Sequence, residues 1–221
     1  MVIEMFHEEF YGRTEPLLER ICRELALRFD GTLSPETVER FVGECHRLLA
    51  QKSRLRRHLP LLTERFARER LTALAQSQGL IMREVPEVLY VCARNAGRSQ
   101  MAAALTVHHA AGRVHVRTAG TAPAHHVDPV IIEAMAEIGI DLGGAFPKPL
   151  TDEVVAAADV VVTMGCGDAC PIYPATRYLD WNIADPEGAP IERVRAIRDH
   201  VGERVRELLS ELPGTAPQSI G

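Results

Sequence analysis

The spacing of apolar positions changes character near residue 85. Before it, apolar side chains recur every three or four residues, the period of a helix that buries one face. Leu17, Leu18, Ile21, Cys22, Leu25 and Phe29 form one such stripe, and Val38, Phe41, Val42, Cys45, Leu48 and Leu49 form a second. The second opens at Ser34-Pro35, where serine can cap the first turn and proline gives up an amide that would have no helical partner. A third runs from about His58 to Ala75 and includes Leu62, Phe66 and Leu74. Polar joints at Gly31 and at Arg54–Arg57 separate the three, so residues 1–84 predict a small all-α three-helix domain.

Residues 85–221 read differently. Val88-Leu89-Tyr90-Val91, Val114-His115-Val116 and Val160-Val161-Val162 are short runs of β-forming residues, with a minor one at Tyr178-Leu179. Helical stretches lie between them. One runs from Ser99 to about Ala111, and the next opens at Asp128-Pro129, carries Ile131, Ile132, Met135 and Ile138, and closes at Gly139. A short helix begins near Thr151-Asp152, and a last one from Pro190 to Leu212 places Ile191, Val194, Ile197, Val201, Val205 and Leu208 on one face. Strand alternating with helix predicts an α/β fold, a four-stranded parallel sheet with helices on both faces. The wholly apolar 160–162 run fits a strand buried on both sides. Residues 213–221, beyond Pro213, predict a frayed tail.

Composition narrows the setting. With 46% hydrophobic and 25% charged residues, 221 residues supply a sizeable core. No run approaches the roughly 18 apolar residues of a membrane span. The first ten residues, MVIEMFHEEF, lack the basic-then-apolar layout of a secretion signal. Five scattered cysteines do not suggest a disulfide scaffold, and a reducing, cytoplasmic location is expected. A net charge of −5 speaks against a nucleic-acid partner. The basic run Lys52, Arg54, Arg56 and Arg57 does not change this, because residues 1–84 hold 14 Lys/Arg against 13 Asp/Glu, a net of +1. Cys22 and Cys45 lie on apolar stripes and read as buried packing. Apolar surface left over on the three helices suggests a homodimer formed through residues 1–84.

The chemistry concentrates in Cys92-Ala93-Arg94-Asn95-Ala96-Gly97-Arg98-Ser99. This segment leaves the carboxyl end of the first strand and enters a helix, the place where open α/β sheets bind ligands. Unpaired amides of the turn and helix start make a nest for a tetrahedral oxyanion. Arg98 adds a planar fork for two of its oxygens. The same positive surroundings favour the thiolate of Cys92, a nucleophile. Neither a lysine-bearing phosphate loop nor a dinucleotide fingerprint is present. Cys166 and Cys170 could form a redox pair, or half of a zinc site completed by His125-His126, although strong zinc patterns repeat their cysteine pair. Asp185-Pro186 read alone is a turn signal. His108-His109 sit on an expected exposed helical turn.

These residues resemble a known family. Cysteine, five residues, arginine and serine, here Cys92 to Ser99, is similar to the signature of the low-molecular-weight protein tyrosine phosphatases. The continuation Ser99-Gln100-Met101-Ala102 resembles the arsenate reductase branch, as do Thr118-Ala119-Gly120, Lys148-Pro149-Leu150-Thr151 and the run from Val162 to Pro171. The resemblance implies that Cys92 attacks arsenate, held by the amides of Ala93, Arg94, Asn95, Ala96 and Gly97 and by Arg98 and Ser99. It implies that Asp185 protonates the departing hydroxide. Cys166 then attacks the Cys92–arsenic adduct and releases arsenite. Cys170 takes over the disulfide and hands it to thioredoxin, or a small thiol such as mycothiol acts with a redoxin. No bound cofactor or metal is implied. Reduction of As(V) to As(III) takes two electrons, which a dithiol becoming a disulfide supplies.

The departures carry information too. Some thioredoxin-coupled members place a potassium-binding glutamate where this chain has Ala103, so no potassium stimulation is expected. Phosphatases of the family usually follow Asp-Pro with an aromatic residue that stacks on phosphotyrosine. Glu187 stands there instead, which argues against a tyrosine phosphatase. They also tend to keep a second cysteine in the loop, where this chain has Gly97. Arg94 occupies a position often smaller or uncharged, and Trp181 either shields the acid segment or packs.

Overall fold

The computed structural model describes residues 2–51, 58–165, 172–174 and 176–212, with side chains from residue 15 onward. The chain divides into two compact units, Met1–Met82 and Arg83–Gly221.

The first unit contains helices α1 (Val2–Arg28), α2 (Pro35–Ala50) and α3 (Leu59–Ser77). Ser34 is extended and its hydroxyl accepts from the Thr37 amide at 3.3 Å, with Pro35 opening α2. Burial follows the expected stripes in α1 and α2 through Ile21, Leu25, Phe29, Val38, Phe41, Val42, Cys45 and Leu49. Leu17 at the edge of its stripe is exposed and Cys22 is only half-buried. In α3 the buried face is rotated from the expected one. Leu59, Thr63, Phe66, Ala67, Arg70 and Leu71 are buried, and Leu62 and Leu74 flank them. A buried arginine disguised this face. Arg70 stands over the Phe41 ring at 4.6 Å and donates to Glu44 at 3.1 Å, so its charge is matched inside the core.

The second unit is a four-stranded parallel sheet in the order β2-β1-β3-β4, formed by β1 (Glu87–Cys92), β2 (His115–Gly120), β3 (Val160–Met164) and β4 (Arg177–Asp180). Helices α4 (Arg98–Ala110), α5 (Pro129–Ala136), α6 (Asp152–Ala156) and α7 (Ile191–Glu211) complete it. Val88, Tyr90 and Cys92 join Met101, Leu105, Ile131, Met135, Val201 and Val205 in one core. Leu89, Val91 and Val161 point to the opposite face and are also fully buried, so both faces are covered. Tyr90 reconciles its phenol with this core through Thr106 Oγ1 at 2.7 Å, and burial raises its pKa far above the usual value. Trp181 packs: it is buried, its ring centroid lies 5.7 Å from that of Tyr90, and the Arg204 guanidinium covers it at 5.5 Å.

The second strand extends further than its apolar run, because it carries a buried arginine at its centre. Arg117 pairs with the buried Glu87 of β1, which His115 Nδ1 also meets at 2.7 Å. Burial pushes the Glu87 carboxyl up, but the His115 hydrogen bond and the Arg117 charge outweigh it and leave the group below its ordinary pKa of 4.5. Glu87→Gln should therefore cost about 3 kcal/mol at neutral pH, because it weakens the compensation of a buried guanidinium. A carboxyl held below its ordinary value stabilises the fold above that value, and the contribution is lost as pH falls through the folded pKa. Urea unfolding of both proteins should show the full gap above pH 4.5, closing below it. A gap that does not depend on pH would contradict this assignment.

Candidate active site

The sheet register builds the site. Cys92 ends the central strand, beside Gly120 of β2 on one side and Met164 of β3 on the other. The chain then turns through residues 93–97 and enters α4 at Arg98. Outward hydrogen bonds fix this turn: the carbonyls of Ala93, Arg94 and Ala96 accept from the amides of Ala122, Ala124 and Asp128 at 2.8, 2.8 and 3.0 Å. A peptide is planar and trans, so an amide points opposite to the carbonyl it shares a plane with. The amides of Arg94, Asn95 and Gly97 are thereby turned inward. The Asn95 amide does meet Cys92 Sγ, at 3.3 Å.

Asn95 holds the turn in shape. Its φ of 49° lies in the left-handed region, which asparagine tolerates better than most residues. Its Nδ2 donates to Ser99 Oγ at 2.8 Å, and its Oδ1 accepts from the Lys148 amide at 2.9 Å and from Gln100 Nε2 at 3.2 Å. Gln100 also donates to the Asn95 and Phe146 carbonyls. Ser99 Oγ in turn lies 3.0 Å from Cys92 Sγ. The thiol is buried, with a hydroxyl and an amide aimed at its sulfur.

The guanidinium of Arg98, 8% exposed, donates to the Ile183 carbonyl at 3.3 Å and to Asp185 Oδ2 at 2.7 Å. Asp185 Oδ1 accepts from the Glu187 amide at 3.1 Å, which closes a tight turn of the acid segment. Arg94 is engaged as well: it pairs with Glu187 and lies 3.6 Å from Asp128 Oδ1. Burial raises the Asp128 pKa while Arg94 works the other way. Two glycines make room. A Cβ at Gly120 would stand 2.8 Å from the Ala93 carbonyl oxygen, and one at Gly165 would stand 2.7 Å from Arg98 Nη1.

The structure thus brings together Cys92, the whole 93–99 turn, Arg98 and Asp185. Cys166 and Cys170 lie outside the described residues, and with them the alternative zinc site. Among the described residues no group of three or more His, Cys, Asp or Glu side chains could hold a metal ion, and no helix is long and apolar enough to cross a membrane. Gln100, the Lys148 amide and Asp128 are site residues that carried no chemical signal in the sequence. The first two lie in family-like runs, and Asp128 reads as an ordinary helix opener. A buried sulfur nucleophile within a ring of inward amides, with an arginine fork and a carboxylate on the far side, can bind a tetrahedral oxyanion, attack its central atom and return a proton to a departing oxygen.

The chain belongs to the low molecular weight phosphotyrosine protein phosphatase family, whose model matches residues 87–216, which is 130 of 221 residues or about 59%. A second model, the protein-tyrosine-phosphatase-like N-terminal domain, matches residues 18–75. Among its relatives are a putative arsenate reductase of Halobacterium salinarum, 37% identical over 127 residues that make up 55% of this chain and 89% of the relative, and the glutaredoxin arsenate reductase of a Synechocystis species, 35% identical over 57% of this chain and 98% of the relative. The solved structure of a thioredoxin-dependent arsenate reductase from Corynebacterium glutamicum is similar at 45% identity and a TM-score of 0.81, covering 88% of this chain and 96% of that one. That share exceeds the 59% spanned by residues 87–216, so the likeness extends into the N-terminal helices.

Proposed function

We propose that this protein reduces arsenate to arsenite through a cysteine relay that thioredoxin regenerates. The observation that carries the reading is Cys92 Sγ, held 3.0 Å from Ser99 Oγ and 3.3 Å from the Asn95 amide at the focus of the oxyanion turn. Names of relatives support the substrate: arsenate reductases recur among them, one of them thioredoxin-dependent. In the first step the Cys92 thiolate attacks arsenic, an As–O bond breaks, and Asp185 supplies the proton with which that oxygen leaves as water. The Cys166 thiolate then attacks Cys92 Sγ. A sulfur–sulfur bond forms, the sulfur–arsenic pair passes to arsenic, and arsenite departs as As(III). Cys170 attacks Cys166, frees Cys92 as thiolate and leaves a Cys166–Cys170 disulfide for the dithiol of thioredoxin. Two thiols lose two electrons and arsenic gains two.

The sheet register supports the second step. Met164 is the register partner of Cys92, and Cys166 follows it by two residues in the chain. The relay needs the Cys166 Cα brought to within about 7 Å of the Cys92 Cα for the disulfide to form. Gly165, with a φ of 69°, turns the chain directly before it.

A reconstituted assay tests the proposal by measuring arsenite formed from arsenate with thioredoxin, its reductase and NADPH. Turnover is expected with thioredoxin, and Cys170→Ser should stall it after a single equivalent. Turnover that needs mycothiol with a redoxin and survives Cys170→Ser would replace the donor. Hydrolysis of an aryl phosphate with no arsenite formed would overturn the reading in favour of a phosphatase.

A further inference from the structure

Three consecutive residues of the acid segment each meet a different residue of the oxyanion turn. Asp185 Oδ2 accepts from Arg98 Nη2 at 2.7 Å, Glu187 pairs with Arg94, and Pro186 lies so near Gly97 that a Cβ there would stand 2.9 Å from Pro186 Cγ. Arg94 is tied on its other side to Asp128 at the start of α5, 3.6 Å away. Its backbone is pinned as well, through the Arg94 carbonyl and the Ala124 amide. The Arg94 side chain, the least expected group in the turn, is therefore spent on two carboxylates. Asp128 and Glu187 belong to different segments, and one guanidinium with five donors can join both.

We propose that Arg94 is a positioning and specificity residue: by joining Glu187 to Asp128 it fastens the acid segment over the oxyanion turn, so the site admits a free tetrahedral oxyanion and excludes one bearing an aryl group. The inference rests on the oxyanion-binding part of the proposed function and not on the reductive relay. An anion seated on the inward amides has its free valence directed away from Cys92, and residues 185–187 cover the turn at three points. A small oxyanion is complete within that enclosure. An aryl substituent has to pass the Arg94–Glu187 pair, and the residue that follows Asp185-Pro186 there is Glu187, not an aromatic side chain.

The test compares calorimetric dissociation constants for inorganic phosphate and for phenylphosphonate, an aryl oxyanion that cannot be hydrolysed. Removing Arg94 or Glu187 changes the local charge in opposite directions, so absolute affinities should move oppositely for Arg94→Ala and Glu187→Ala. Both ligands are anions of similar charge, so that effect largely cancels in their ratio. The wild-type protein should prefer phosphate, and each single variant should narrow the preference about five-fold, the scale of one partly exposed ion pair. The double variant should narrow it no further than either single one, and Arg94→Lys, which keeps the pair, should preserve it. Melting temperatures near wild type will show that each variant is folded. A preference unchanged within about two-fold in both single variants would overturn the proposal, as would full additivity in the double. Failure of arsenite formation with the ratio behaving as expected would remove the reductase reading and leave this one standing.

Discussion

Cys92→Ser should abolish arsenate reduction, with turnover falling on the order of 10⁴-fold or more, while oxyanion binding survives. The exchange is nearly isosteric, and the partners of the sulfur, Ser99 Oγ and the Asn95 amide, can meet a hydroxyl as well. The chemistry cannot survive it. A serine hydroxyl stays protonated at neutral pH, so there is no anion to attack arsenic, and an oxygen cannot enter the disulfide that carries two electrons away. Losing the nucleophile of a unit that acts in concert removes nearly all of its rate enhancement. Oxyanion affinity depends on inward amides and Arg98, which serine leaves in place. Arsenite measured by chromatography with elemental detection should fall to background while the phosphate dissociation constant, read by calorimetry, stays within about three-fold of wild type. Residual turnover within about ten-fold of wild type would show that another thiol starts the reaction.

The turn, the helix behind it and the strand in front were legible in the sequence because local rules govern them. Val88 to Val91 is a short apolar run, a helical stretch follows from Ser99, and cysteine and arginine flank the turn at the carboxyl end of a strand. Side chains that satisfy one another across the fold were not. Arg117 interrupts the apolar run of β2 and Arg70 the stripe of α3, yet both are buried, because Glu87 and Glu44 answer them from elements 30 and 26 residues away. Binary patterning counts such arginines as surface. The same blindness hid the use of Arg94, whose partners Asp128 and Glu187 come from two separate loops. Gln100 is a milder case: its position within the helix is plain, but the two carbonyls it holds belong to residues that only the tertiary fold brings together.

The pairing of Arg98 with Asp185 leads to a second large effect with an unusual sign. In the structure Arg98 gives one nitrogen to the Asp185 carboxylate and another to the Ile183 carbonyl. An oxyanion that takes the guanidinium fork must win it from Asp185, so ligand binding and the ion pair compete. Asp185→Asn removes the competing charge while keeping the shape of the side chain and the turn onto the Glu187 amide. Phosphate or arsenate should then bind more tightly, by up to about five-fold, because an ion pair with one partner half-exposed contributes on the order of 1 kcal/mol. Turnover should move the other way. Without a group to protonate the departing oxygen, the first step slows by roughly 10²- to 10⁴-fold. Steady-state kinetics should accordingly show kcat and KM falling together, with the loss in kcat far larger. Arg98→Lys supplies the contrast: it keeps the charge but loses the planar fork, so KM should rise as kcat falls. If Asp185→Asn weakened oxyanion binding instead, the carboxylate would be an organiser of Arg98 and not its competitor, and the proton would have to come from elsewhere.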